Sequence, residues 1–265
     1  MIQQKIARIA NSFADKKVLI AFSGGIDSSV LAHIAYDKLK DDATAITVDS
    51  IFLPRREIEN CELVSKEIGI KHVILPADLE NKNDVLSNNK FRCYYCKKVI
   101  IEKLRDFASR NNYDMVVEGT NCSDLKDYRP GIKAVHENKD ILHSPFITFG
   151  IYKDDIREIA SYLNLSNRNK PSESCLATRI PFNTRITKKD LHKIEEAEDF
   201  LYQFDFVSVR VRLHNSIARI EISPNEFNKL LINRQSIIQY FHKIGLNHIT
   251  LDIQGFRSGS MIETE

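Results

Sequence analysis

Three groups of residues in this sequence have the types and spacing to do chemistry. Ser23-Gly24-Gly25-Ile26-Asp27-Ser28 is a serine- and glycine-rich turn, Cys93-Tyr94-Tyr95-Cys96 is a CxxC beside Arg92, Lys97 and Lys98, and Cys175 ends the stretch 170–175, KPSESC. A Gly-Gly turn that opens a helix aims several backbone N–H groups at one spot. The helix N-terminus adds partial positive charge there, and together they make an anion site. Glycine permits the tight turn and the close approach of a polyphosphate. Ser23, Asp27, Ser28 and Ser29 bring hydroxyls and one carboxylate, and Asp27 is suited to help hold Mg²⁺. The GK[ST] ending of a Walker A loop is missing, so this turn supplies no lysine to a γ-phosphate. The plain competing reading is a Gly-Gly turn with a serine N-cap.

Thiolates at a helix N-terminus beside cationic side chains have lowered pKa values and become reactive or metal-binding. Cys93, Cys96 and Cys175 would suit a 4Fe-4S cluster with one iron left open. A structural zinc ion wants four protein ligands, and the sequence has no second CxxC or spaced histidine pair. By itself a CxxC is shared by zinc, redox and cluster proteins, and simple core packing competes with all of them. Lys97 follows Cys96 directly, where it would offset negative charge built up on sulfur or stand solvated. Cys61 shares an apolar helical face with Ile58, Val64 and Ile68, which predicts core packing. Cys122 follows the loop 119–121.

The elements that must position these groups can be read from periodicity. Residues 17–22 (KVLIAF) form a short apolar run before the Gly-Gly turn, as in a buried parallel strand. Strand-like runs recur at 43–48, 72–75 and 115–117, separated by helical patterns at 28–39, 55–68 and 97–111, with another at 152–163. This alternation predicts βαβ units and an α/β domain with a parallel sheet. Residues 164–186 lack periodicity. Beyond them come a helix at 188–203, two alternating strands at 207–213 and 217–222 joined near Asn215-Ser216, helices within 225–244, and a strand at 249–253. The expectation is a polyphosphate-binding domain over 1–170 and a smaller α+β domain over 171–265, for substrate binding or oligomerisation.

The chain has 265 residues, 43% hydrophobic and 28% charged, with a formal net charge of +2. That is an ordinary globular composition, and the charge balance leaves no overall footprint for a long nucleic acid. Residues 1–14 read as a polar amphipathic helix with no signal-peptide pattern. No run approaches the about 18 apolar residues that span a bilayer, so a cytoplasmic protein is expected. An odd cysteine count, five, argues against a disulfide framework.

SGGIDSS after a first strand resembles the PP-loop family, whose members cleave ATP between the α and β phosphates and adenylate a substrate. The resemblance implies contacts to the nucleotide from Thr47, Asp49 and Ser50 at the second strand end. It places Gly119, Thr120 and Asn121 on the same rim, at carboxyl ends of strands. The whole chain resembles the LarE family, ATP-dependent sulfur transferases of nickel-pincer nucleotide biosynthesis. The match is carried by SGGIDSS, CYYCKK, GTNCSDLKDYRPG (119–131), KPSESCLATRIP with Ile186-Thr187, LDIQGFRSGS (251–260), and by Val209–Arg212 followed by Ala218–Glu221.

The family has two sulfur sources: a cysteine at the position of Cys175 that gives up its own sulfur, or three cysteines holding a 4Fe-4S cluster that carries a transferable hydrosulfide. Cys93 and Cys96 beside Cys175 favour the second. The implied substrate is pyridinium-3,5-biscarboxylic acid mononucleotide, and a family member often works as a homo-oligomer. Arg179, Arg210, Arg212 and Arg257 lie on matching segments and suit its carboxylates and phosphate; surface charge or ion pairing is the alternative for each. Glu198 sits near the apolar face of its helix, where a carboxylate needs a partner. The other readings of the loop and thiols are a tRNA thiolase of the same superfamily, or a nucleotide-binding redox sensor.

Overall fold

In a computed structural model the described residues are 2–126, 130–171 and 173–257. Parts of the matching stretches (Asp127 to Arg129, Ser172, and 258–260) lie outside them. The elements in chain order are α1 (Ile2–Ser12), β1 (Val18–Ala21), α2 (Ile26–Leu39), β2 (Ala43–Asp49), α3 (Arg55–Ile68), β3 (Lys71–Pro76), α4 (Asn83–Leu86), α5 (Arg92–Arg110), β4 (Met115–Val117), α6 (Pro130–Glu137), β5 (Leu142–His143), α7 (Pro145–Thr148), α8 (Lys153–Tyr162), α9 (Lys188–Tyr202), β6 (Arg210–His214), β7 (Ile217–Glu221), α10 (Phe227–Ile232), α11 (Arg234–Lys243) and β8 (His248–Leu251). The chain divides into two compact units, Met1–Leu79 with Phe91–Glu173, and Glu80–Lys90 with Ser174–Glu265.

The first unit is built on a parallel sheet of order β3-β2-β1-β4-β5. Its central strand is apolar on both faces because both are covered. Val18 and Ile20 pack with Phe13 and with Ile9, Val30, Ile34 and Ile156 of α1, α2 and α8, while Leu19 packs with Ile101, Leu104 and Val135 of α5 and α6. That two-sided burial explains why 17–22 reads as a continuous run rather than an alternating one. Strand order reverses between β1 and β4, and in such sheets ligands bind at the carboxyl ends beside that reversal. α3 stops at Gly69, whose left-handed φ of +82° lets its N–H reach the Ser65 and Lys66 carbonyls.

The second unit carries a three-stranded sheet of order β6-β7-β8, antiparallel then parallel. β6 and β7 meet with His214 opposite Ile217, and the left-handed φ of +54° at Asn215 forms the two-residue turn between them. α9 starts at Thr187, whose hydroxyl accepts from the Asp190 N–H at 3.1 Å. Residues 80–90 are knitted into this unit. Buried Asn88 donates to the carbonyls of Ile180 (3.2 Å) and Pro181 (2.7 Å), and Ile186 N–H donates to the Leu86 carbonyl at 2.8 Å. Among the described residues no helix is long and apolar enough to cross a membrane.

Candidate active site

Residues 23–28 join β1 to α2 at the carboxyl end of the central strand. Gly24 adopts φ +65°, and a Cβ there would collide with Asn60 Nδ2 and stand 3.1 Å from Cys61 Sγ. Gly25 is the N-cap of α2 with no side-chain cap, so the serine-cap alternative is not realised. The serine hydroxyls are used inside the turn. Ser28 Oγ donates to the Gly25 carbonyl (3.0 Å) and accepts from Ser23 N–H (3.2 Å), and the two serine oxygens lie 3.3 Å apart. A helix of 14 residues therefore opens with first-turn N–H groups that no side chain caps, the arrangement that binds phosphate.

The loop after β4 closes on this turn. A Cβ on Gly119 would lie 3.0 Å from Asp27 Cβ and 3.2 Å from Ser28 N, so any larger residue would have to push the turn back by a few tenths of an ångström. Asn121 Nδ2 is 3.4 Å from Asp27 Oδ1, and Lys153 Nζ, at the start of α8, donates to Asp27 Oδ2 at 2.5 Å. Lys153 was not anticipated, because one lysine at the head of a surface-patterned helix carries no local signal. Glu118, 5% exposed, is the second missed residue. Its carboxylate accepts from Thr120 Oγ1 (2.6 Å), Thr120 N–H (3.2 Å) and Ser144 Oγ (2.5 Å), and pairs with Lys97 Nζ at 3.7 Å. Lys97 is thus brought to the carboxyl end of β4 and paired there.

At the end of β2 the Arg55 guanidinium grips the Asp49 carboxylate in a fork and donates to the Ser50 carbonyl at 3.2 Å. Thr47 is buried, with its hydroxyl donating to the Phe22 carbonyl and bonded to His72 Nε2, both at 2.8 Å. Burial lowers the His72 pKa, favouring the neutral ring.

All five cysteines are free. Cys61 is fully buried in the core, as its helical face predicts, and burial pushes its pKa up to about 11. Cys93 and Cys96 stand in the first two turns of α5, partly exposed, with Arg92 Nη2 3.5 Å from Cys93 Sγ. Cys122 Sγ lies 3.7 Å from the Phe146 carbonyl. In the second unit Cys175 is exposed at the head of the turn Leu176–Arg179. Among the described residues no three His, Cys, Asp or Glu side chains gather into a metal-binding group.

Three arginines of the second unit, Arg179, Arg210 and Arg212, are buried. Arg179 and Glu198 are both 0% exposed and form a two-point ion pair at 2.9 and 3.0 Å. The remaining nitrogen of Arg179 holds the Cys175 loop, bonding the Ser174 carbonyl (2.7 Å), Ser174 Oγ (2.7 Å) and the Cys175 carbonyl (3.2 Å). Arg212 donates to Glu221 Oε1 and to the Thr178 carbonyl, both at 2.8 Å. Arg210 is 2% exposed, over the Phe256 ring at 5.1 Å, and Arg257 is exposed.

Residues 1–124 match the family model described as a PP-loop domain. The chain is 32% identical over 252 residues, 94% of this chain and 90% of the relative, to a pyridinium-3,5-bisthiocarboxylic acid mononucleotide synthase of Lactiplantibacillus plantarum. It is 33% identical over 264 residues to an uncharacterized protein of Synechocystis sp., covering 98% of each chain. An uncharacterized protein of Methanocaldococcus jannaschii is 34% identical over 259 residues, 96% of this chain and 98% of its own.

Proposed function

The chain belongs to the LarE family of PP-loop, ATP-dependent enzymes, and from that premise we propose that it activates a carboxylate of pyridinium-3,5-biscarboxylic acid mononucleotide with ATP and replaces its oxygen by sulfur. The observation that carries the reading is near-full-length identity to a synthase named for the bisthiocarboxylic product, in a chain whose free cysteines include Cys93, Cys96 and Cys175.

A carboxylate is a poor electrophile, and adenylation gives it a good leaving group. One carboxylate oxygen attacks the α-phosphorus and pyrophosphate departs. A sulfur nucleophile then adds to the acyl carbon and AMP leaves with that oxygen, producing a thiocarboxylate. The uncapped N–H groups at residues 25–28 would hold the departing phosphates. Asp27 would hold Mg²⁺, and Lys153 beside it brings a cation to the same rim. Lys97, kept near β4 by Glu118, would offset charge as sulfur adds. Arg210 and Arg257, with Arg179, Arg212 and Glu198, are the proposed substrate-side groups.

The donor chemistry suits an iron-sulfur centre: soft thiols, two of them three residues apart in the first two turns of a 19-residue helix. Cys93, Cys96 and Cys175 would hold a 4Fe-4S cluster, which when bound supplies sulfur in nucleophilic form and spares the chain's own cysteine. The family resemblance extends the proposal to a cytoplasmic homo-oligomer served by a separate sulfur donor.

Mass spectrometry of anaerobically reconstituted protein before and after turnover tests the sulfur source. Unchanged protein mass with bound iron supports the cluster. Loss of the elements of H₂S at Cys175, or sulfur transfer by iron-free protein, rejects it.

A further inference from the structure

The Gly24 carbonyl is held from two sides by groups that no reading of the phosphate loop includes. Asn60 Nδ2, from α3, donates to it at 3.0 Å, and Asn167 Nδ2, from the turn Ser166–Asn169, donates to it at 2.8 Å. Asn167 is 6% exposed, and the same nitrogen reaches Ser29 Oγ at 2.8 Å on the first turn of α2. Both lone pairs of one carbonyl are thereby taken by two amides from separate parts of the chain. In a trans peptide the carbonyl and the following N–H point in opposite directions. Fixing the Gly24 oxygen toward α3 and the 166–169 turn therefore fixes the Gly25 N–H the other way. Among the described residues no protein acceptor takes that N–H.

We propose that Asn60 and Asn167 are positioning residues for ATP, locking the Gly24–Gly25 peptide so that its N–H, not its carbonyl, faces the phosphates. Gly24, with φ +65° and no Cβ, is the residue most free to let that peptide rotate. A rotated peptide would present the negative end of a carbonyl dipole to a polyanion. The two amides remove that alternative before ATP arrives, which is preorganisation rather than contact with the ligand. The inference needs only ATP use at residues 23–28 and is independent of what receives the sulfur.

The test is direct binding of ATP, pyrophosphate and AMP by calorimetry to the full chain carrying Asn60→Ala or Asn167→Ala, with urea unfolding as the control for folding. Each variant should weaken ATP and pyrophosphate by about tenfold, the worth of roughly one well-placed hydrogen bond, while AMP affinity is kept. In the adenylation assay KM for ATP should rise with kcat little changed. Asn60 is partly exposed, so Asn60→Ala and Asn60→Ser remain informative if buried Asn167 tolerates no change. Unaltered ATP affinity in folded Asn60→Ala would overturn the proposal. So would parallel loss of ATP and AMP, which is the mark of a general structural defect.

Discussion

At the residue scale the cysteines separate by environment. Cys61 is enclosed by the first core and its thiol stays protonated up to about pH 11, raised by burial from the ordinary 9.0. Cys175 is exposed. Brief alkylation of the native protein at about pH 8 should label Cys175 and leave Cys61 intact, as peptide mass spectrometry would show; rapid labelling of Cys61 would contradict its burial. The shift also has a stability consequence. The unfolded thiol ionises near 9 and the folded one near 11, so this group's contribution is complete below pH 9 and is lost as pH rises between those values.

Arg179 makes a second residue-scale case. Its guanidinium satisfies a buried carboxylate and the carbonyls of Ser174 and Cys175. Arg179→Ala should cost about 3–5 kcal/mol in urea unfolding, because buried Glu198 loses its two-point ion pair. A loss near zero would mean the pair relaxes to water. Nothing local announces which arginines are engaged in this way. Arg179, Arg210, Arg212 and Arg257 look alike in the sequence, and only contacts formed in the fold separate them: Arg179 meets Glu198 of α9, while Arg212 is placed by the pairing of β6 with β7. That register sets Arg212 opposite Arg219, and both share Glu221 Oε1 between them, relieving a like-charge pair that would otherwise be unfavourable.

At the element scale the site depends on two glycines that let separate elements touch. Gly24→Ala adds a Cβ at positive φ against Asn60 and Cys61, and should cost more than about 1 kcal/mol while abolishing measurable ATP binding. Gly119→Ala pushes the β4 loop against Asp27 and Ser28 N, and should weaken ATP with a smaller loss of stability. Equal ATP affinity in both variants and the parent would contradict the close packing of this turn. The β1–turn–α2 unit was legible in the sequence because its signals are local: an apolar run, two glycines, then helical spacing. β5, two residues long, and α6 behind Pro130 offered no period to read. Glu118 and Lys153 were invisible for another reason, since their partners Ser144, Lys97 and Asp27 lie far off along the chain and are met only in the fold.

At the scale of the whole molecule, alternation of strands and helices was enough to foresee a parallel sheet, and the hairpin at Asn215-Ser216 to foresee a smaller α+β unit, while the parallel pairing of β8 with β7 is seen only in the structure. The assignment of residues 80–90 to the second unit rests on Asn88 and Leu86 bonding backbone nearly a hundred positions away, which no window along the sequence contains. Iron content belongs to this scale as well. If Cys93, Cys96 and Cys175 form one ligand set, Cys93→Ala or Cys175→Ala should each lower reconstituted iron severalfold; unchanged iron in either would dissolve the set.

The central claim, that residues 23–28 serve carboxylate adenylation, is tested most directly by tracing oxygen. With the substrate carboxylates labelled with ¹⁸O, each sulfur transferred should leave one ¹⁸O in the phosphate of AMP, read by mass spectrometry. AMP formed without label, or sulfur transfer with no AMP at all, would contradict an acyl-adenylate route.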